Sequence, residues 1–210
     1  MKRNTNQAFE QMKQVALDWL ADRDPWELGE RAGIPYDGGE KVFRFSSLGV
    51  DFVLSYPDYA ITPEPGPWQY LLILHYLRLA DGTALSGREI TFGQMKAGMV
   101  RGGGIDRKCE MAFGAMKDLD VRKLEELCRS MGGEKLSSNA DITYRLPFLP
   151  RFPVIFKLWL PDEEFPASGR LLVDSSADHY LTIEDAVTVA EILIERLTVA
   201  KEQRTFAIYP

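Results

Sequence analysis

Residues 142–174 read ITYRLPFLPRFPVIFKLWLPDEEFPASGRLLVD, and this stretch decides the fold. It contains three runs rich in β-branched, aromatic and aliphatic residues that are typical of strands, at residues 142–146, 154–160 and 171–174. No helical pattern separates them. Strands that follow one another without intervening helices favour an antiparallel sheet over a doubly wound parallel one.

The flanking sequence adds a hairpin and four helical segments. Apolar residues at 42–45 and 50–54 flank Ser46-Ser47-Leu48-Gly49, which predicts a β-hairpin with glycine at its turn. Apolar periodicity predicts helices over residues 5–21, 68–80 and 106–131, the last with a break near residue 119, and a final helix from Thr182. The segment 68–80 is apolar on nearly all sides, which predicts a central buried helix. Residues 22–40 and 88–104 are rich in glycine and are predicted to be irregular.

We therefore predict a single α+β domain over residues 1–210, with an antiparallel sheet of about five strands and helices packed on it. Residues 1–22 form an amphipathic N-terminal helix packed on that domain in this prediction. At 210 residues, 45% of them apolar, the chain is long enough for one good-sized core.

Charge and hydropathy argue against several classes of protein. The net charge is −6 and basic residues are scattered among acidic ones, whereas a nucleic-acid surface needs them clustered. The longest apolar-rich run, residues 68–80, is shorter than the roughly 20 residues that cross a bilayer. No apolar segment follows the basic N-terminus as in a secretion signal, so we expect a cytoplasmic protein that binds neither nucleic acid nor membrane.

The two cysteines are predicted to be structural. Cys109 and Cys128 are far apart in sequence and each occupies an apolar position of a helical pattern, where free cysteine is commonly buried. A zinc site or an iron–sulfur cluster needs about four ligands, which two cysteines and two distant histidines do not supply. We therefore expect no metal cluster.

Residues 158–167, LWLPDEEFPA, form the most unusual segment of the chain. Asp162, Glu163 and Glu164 are consecutive acids between two prolines, next to an apolar strand. Clustered carboxylates of this kind hold a hard cation such as calcium or magnesium, or one of them acts as a general acid or base. The alternative is a rigid acidic loop whose charges lie in water, because adjacent side chains of an extended loop point in different directions.

Two other features have both a functional and a structural interpretation. Arg101, followed by three glycines and then a helix, matches either an anion-binding turn or a glycine-rich turn without a ligand. His75 lies in the apolar helix as either a ligand of a metal or a tetrapyrrole, or a hydrogen-bonded core residue. Asp174 ends a predicted strand. His179 lies in a polar loop and is predicted to be exposed.

From the middle helix onward, the chain resembles the family of domains of unknown function DUF3786. The resemblance rests on residues 74–77 (LHYL), 80–82 (ADG), 90–93 (ITFG), 158–167 (LWLPDEEFPA), 171–174 (LLVD) and 181–184 (LTIE). It covers most of the chain from about residue 40. The resemblance implies occurrence mainly in anaerobic bacteria and archaea. Some relatives carry an iron–sulfur domain similar to that of corrinoid iron–sulfur proteins, which this chain lacks. It implies no known reaction.

Three hypotheses for function follow. In the first, the domain is non-catalytic and binds a small-molecule cofactor or a metalloprotein partner of anaerobic metabolism. The candidate binding residues are His75, Arg101, Asp162, Glu163, Glu164 and Asp174. In the second, the protein is a metal-assisted or carboxylate acid/base enzyme, a hydrolase or lyase, that uses the same loop acids with Asp174 and Glu184. In the third, it is an assembly protein with a large exposed apolar patch. The sequence predicts neither the ligand nor the oligomeric state.

Overall fold

A computed structural model describes residues 2–116 and 119–199 of the chain. Those residues form six helices and nine strands, which confirms the predicted α+β class. The helices are α1 (Lys2–Leu20), α2 (Pro25–Ala32), α3 (Pro67–Leu79), α4 (Gly98–Gly114), α5 (Val121–Ser130) and α6 (Ile183–Val199). The strands are β1 (Tyr36–Asp37), β2 (Val42–Ser47), β3 (Val50–Ser55), β4 (Ile61–Thr62), β5 (Glu89–Ile90), β6 (Glu134–Lys135), β7 (Ile142–Leu149), β8 (Phe152–Trp159) and β9 (Ser168–Asp174).

The strands form two antiparallel sheets rather than one. The larger sheet has five strands in the order β5-β9-β8-β7-β6, and residues 142–174 form its three central strands. The predicted hairpin, β2 and β3, instead forms a four-stranded sheet with the short strands β1 and β4. A seam joins the sheets where the Leu48 N–H, in the hairpin turn, donates to the Pro147 carbonyl oxygen of β7 at 2.9 Å.

Helix α3 is the central helix, as its composition predicts. Seven of its thirteen residues are buried, and it contacts α1, α2 and α6. The Tyr76 hydroxyl donates to the Ala32 carbonyl oxygen at 2.6 Å, which ties α3 to α2. Helix α6 contacts α3, α4 and α5, so it covers the other side of the same core.

Two predicted loops contain helices instead. Within residues 22–40, α2 begins at Pro25 after an Asp24 cap and ends at Gly33 in the left-handed conformation. The proline and glycine that suggested a loop are thus the boundary residues of a short helix. Within residues 88–104, α4 begins at Gly98, eight positions before the predicted start. The break near residue 119 is confirmed, because α4 ends at Gly114 and Asp120 caps α5; Asp118 itself lies outside the described residues.

The cysteines are buried, as predicted, and burial raises the pKa of each thiol to about 12. Neither is therefore a thiolate at neutral pH. Of the helices in the described part of the chain, none combines the length and the apolar character that crossing a bilayer requires.

Candidate ligand-binding site

Helices α3 and α6 lie against each other with two polar contacts between largely apolar faces. Near the start of α3, Gln69 faces Arg196 near the end of α6. Further along α3, His75 faces Asp185 near the start of α6. The order of these contacts shows that the two helices run antiparallel.

A cleft of about 530 Å³ opens beside the Gln69–Arg196 contact. Helices α3, α5 and α6 form its walls. Its lining is mostly apolar, with the Arg196 guanidinium as the cationic group: Gly66, Pro67, Trp68, Gln69, Leu127, Ile192, Glu195 and Arg196. Small-molecule sites have this size and this combination of apolar walls with few polar groups.

Arg196 is held in position by a chain of buried polar side chains. Its guanidinium donates to the Gln69 side-chain oxygen at 3.3 Å. The Gln69 amide nitrogen donates to the Ser47 hydroxyl at 3.0 Å, and that hydroxyl donates to the Phe148 carbonyl oxygen at 2.6 Å. Gln69 and Ser47 are buried, at 5% and 0% exposure, so this relay has a fixed geometry. It uses one arginine donor, and the Arg196 side chain also lines the cleft.

Arg196 has no carboxylate at ion-pair distance among residues 2–116 and 119–199. Burial lowers the pKa of Arg196 from its ordinary value, although arginine remains protonated at neutral pH. The first turn of α3 also presents unpaired N–H groups in the described structure, those of Trp68 and Gln69, because the capping residue is Gly66. The positively charged guanidinium and these N–H groups can bind an anion.

By comparison, the Asp185 carboxylate in the contact with His75 is satisfied by hydrogen bonds from its own fold. The His75 Nδ1 lies 2.7 Å from a carboxylate oxygen of Asp185, and the other carboxylate oxygen accepts the Thr182 hydroxyl at 2.8 Å. Burial alone would raise the pKa of Asp185, but the hydrogen bonds from His75 and Thr182 lower it below its ordinary value. Since Asp185 is ionised, the His75 Nδ1 carries the proton and donates. A ligand could reach the ring only through Nε2.

Arg101 lies near the same end of α6. It is 68% exposed, and its Nε is 3.7 Å from a carboxylate oxygen of Glu184. The second histidine, His179, is exposed as predicted and contacts Asp81 at 2.6 Å. That hydrogen bond lowers the pKa of Asp81 to about 2. Both histidines of the chain therefore pair with carboxylates where the C-terminal part of α3 meets the start of α6.

Asp174 is surrounded by donors from its own fold. It accepts hydrogen bonds from the backbone and hydroxyl of Ser86, from the Gly87 N–H and from the backbone and hydroxyl of Ser176. Burial alone would raise the pKa of Asp174, but these hydrogen bonds lower it to about 2. Its carboxylate therefore fastens the loop before β5 to the end of β9.

The acidic loop lies apart from these residues. Asp162, Glu163 and Glu164 are exposed. One Asp162 oxygen accepts the N–H groups of Glu164 and Phe165, at 2.9 and 2.7 Å, and these bonds lower the pKa of Asp162. The described residues contain no group of three potential metal-binding side chains. Of the six candidate residues, His75 and Arg101 come to one end of α6, through Asp185 and Glu184, and the loop acids do not join them.

The glycine run after Arg101 is not a turn before a helix. Residues 101–104 lie inside α4, so their N–H groups are used by the helix and the anion-binding turn is wrong. Gly102 faces inward, where an added Cβ would lie 2.1 Å from the Phe92 carbonyl oxygen. Gly103 and Gly104 face outward, where an added Cβ would meet nothing within 4 Å.

Neither Gln69 nor Arg196 was predicted from the sequence. Each is a polar residue beside buried apolar positions of its helix, a signal similar to the one that drew attention to His75. Arg196 follows Leu193 and Ile194 and precedes Leu197, all on the buried side of α6. A strongly polar side chain at such a position needs a partner, and this requirement could have indicated the site.

A search of curated proteins finds no match for this chain, and a search of solved structures finds none either. The family model described as "Domain of unknown function (DUF3786)" matches residues 24–196, from the cap of α2 to Arg196. That span covers most of the 210 residues and confirms the resemblance inferred from the sequence. The chain therefore belongs to the DUF3786 family.

Proposed function

We propose that this protein is a non-catalytic binding domain that holds a small organic anion in the cleft between α3 and α6. The observation that carries the proposal is the part-buried Arg196 guanidinium, which faces an apolar cleft without a paired carboxylate in the described chain. Partial burial of a charge is unfavourable unless a partner compensates it. A bound anion would be that partner.

The lining of the cleft restricts the class of ligand. Trp68, Leu127 and Ile192 offer apolar surface, so most of the ligand should be apolar. One arginine faces the cleft, and Glu195 adds a negative charge at its edge, which disfavours a highly charged anion such as a polyphosphate. We infer a molecule with an aliphatic or aromatic body and a single carboxylate or sulfonate.

The proposal includes a cytoplasmic location and a role in anaerobic metabolism, with a metalloprotein partner that supplies or receives the ligand. The support for this part is the resemblance to family members that carry an iron–sulfur domain. No structural observation favours the carboxylate enzyme over the binding domain, since the loop acids are exposed and separate from His75 and Arg101.

The first experiment uses 8-anilinonaphthalene-1-sulfonate, an apolar aromatic body with one negative charge, as a fluorescent probe. We expect one saturable site on the native protein. Arg196→Met should weaken binding about tenfold to hundredfold, because a hydrogen bond to a charged group contributes about 1.5–3 kcal/mol. Arg101→Met is the matched control, since it removes an exposed arginine outside the cleft.

The proposal is wrong if both variants bind the probe as the native protein does. Native mass spectrometry of protein purified without oxygen then addresses the natural ligand. We expect an additional mass on the native chain that is absent from Arg196→Met. An additional mass that both proteins carry equally would place the ligand elsewhere.

A further inference from the structure

A second cleft adjoins the first turn of α3. It has a volume of about 420 Å³, and α1, residues 60–65 and α3 form its walls. Pro67 lines both this second cleft and the cleft beside Arg196, here called the first cleft, so the two clefts are neighbours. The walls of the second cleft are also largely apolar, with surface from Phe9, Ile61 and Tyr70.

Two aromatic rings separate the two clefts. Trp68 lines the first cleft, and Phe9 lines the second. The two rings contact each other edge to face, with their centroids 5.3 Å apart and their planes at 78°. This geometry is favourable for an aromatic pair. Trp68 is nevertheless 41% exposed, so its ring is not a core side chain. The pair therefore forms a wall with one cleft on each side.

The charges of the two clefts differ. The first cleft holds the Arg196 guanidinium, which has no carboxylate at ion-pair distance in the described chain. In the second cleft, the basic group among the described lining residues is Lys13, and its Nζ pairs with a Glu10 carboxylate oxygen at 2.6 Å. Glu64 adds a further negative charge there. An anionic head group is therefore favoured in the first cleft, whereas the second cleft suits an apolar extension of a ligand.

We infer that Trp68, supported by Phe9, limits the length of the anion that the first cleft binds. This inference rests on the proposed function, because it concerns the apolar body of the anion whose head group Arg196 holds. A longer body could gain further apolar contact in the second cleft, but the two rings block that extension. The excess carbon atoms of a long-chain anion would remain in water and add nothing to the affinity. Trp68 is therefore a specificity-determining residue, and the ligand has a short apolar body.

Isothermal titration calorimetry of the full chain with butane-, hexane-, octane- and decanesulfonate tests this inference, since these anions differ only in length. For the native protein, each methylene that enters the first cleft should strengthen binding about fourfold, and the affinity should stop rising within the series. For Trp68→Ala, which removes the wall, the rise should continue to a longer chain. Trp68→Phe keeps a ring and should keep the native limit. Trp26→Ala is the matched control, because Trp26 is a 61% exposed tryptophan of α2 outside both clefts.

A second variant tests the wall from its other side. Phe9→Ala removes the ring that Trp68 contacts, so it should also raise the chain length at which the affinity stops rising. An equal limit for the native protein and Trp68→Ala overturns the inference, as does a native series without a limit. In either case the proposed function still stands if Arg196→Met weakens binding of the whole series. If the native protein binds no sulfonate, or Arg196→Met binds them all equally well, the proposed function is wrong and the inference fails with it.

Discussion

The two polar contacts between α3 and α6 are about 16 Å apart along α6, at 1.5 Å per residue, and they differ in how fully their charges are compensated. At the His75–Asp185 contact, a carboxylate that is 8% exposed receives hydrogen bonds from a ring nitrogen, a hydroxyl and a backbone N–H. At the Gln69–Arg196 contact, a guanidinium with five N–H donors makes one hydrogen bond to the described residues, of 3.3 Å, to a neutral amide. A charge that receives several hydrogen bonds from its own fold stabilises that fold. A part-buried guanidinium beside a cleft, with no carboxylate at ion-pair distance in the described chain, instead indicates a binding site.

Replacement of Asp185 should have the largest effect. Asp185→Ala leaves His75 without its acceptor and removes the reciprocal hydrogen bonds with Thr182 at the start of α6. We expect the free energy of unfolding to fall by about 3–5 kcal/mol, the range for breaking one side of a buried pair. Urea denaturation measures it, and Glu184→Ala, at an exposed neighbouring position, should change it by no more than about 0.5 kcal/mol. Equal effects would contradict this interpretation of the contact.

The two contacts should also respond differently to acid. The folded-state pKa of Asp185 is below its ordinary value. The stability that its ionised form contributes is therefore present above that ordinary pKa and is lost as pH falls through the folded pKa. The difference in unfolding free energy between native protein and Asp185→Asn should therefore shrink from about pH 5 downward. The difference between native protein and Arg196→Met should stay constant over the same range, because arginine remains protonated. Urea denaturation at several pH values distinguishes the two cases.

Gln69→Leu should have an intermediate effect. It removes the acceptor that orients Arg196 and the donor to the buried Ser47 hydroxyl. We expect a loss of about 1–2 kcal/mol in the free energy of unfolding, together with weaker binding of the naphthalene sulfonate probe. If Gln69→Leu binds the probe with native affinity, the relay does not position the arginine.

The smallest effect on stability belongs to Arg196 itself. Arg196→Met replaces a part-buried charge, which has no ion pair within the described structure, with an apolar side chain of similar length. The free energy of unfolding should change by less than about 1 kcal/mol or rise. Thermal and urea denaturation check this expectation. A loss comparable to that of Asp185→Ala would show that Arg196 is a structural residue.

Sequence reasoning succeeded where the determining residues are close together in the chain. Thr182 and Asp185 are three positions apart, and they form the predicted cap with an N–H···O distance of 3.2 Å. It failed at α2, where the local boundary residues Pro25 and Gly33 were interpreted as parts of a loop, and at α4, where tertiary packing decides. The start of α4 depends on Gly102 lying against the backbone at Phe92, a contact that outweighs the low helix propensity of glycine.

The candidate site was less accessible to prediction than the fold. Gln69 contacts Ser47, 22 positions earlier, and Arg196, 127 positions later, and no periodicity specifies such pairs. His75 was identified from its apolar surroundings, but its partner Asp185 lies 110 positions away. The acidic loop stood out because its charges are consecutive, whereas a binding site depends on side chains that converge in space.

The relay from Arg196 through Gln69 to Ser47 ends at the Phe148 carbonyl oxygen of β7, while Ser47 itself ends β2. The orientation of the guanidinium is therefore thermodynamically linked to the alignment of the two sheets. Thermodynamic linkage is reciprocal. The free energy that an anion gains from the aligned guanidinium therefore also stabilises the seam between the sheets. Saturation of the cleft should slow amide hydrogen exchange at Leu48, whose N–H crosses that seam. Ligand binding in the cleft would then be detected by amide exchange at the seam between the two sheets, away from the ligand.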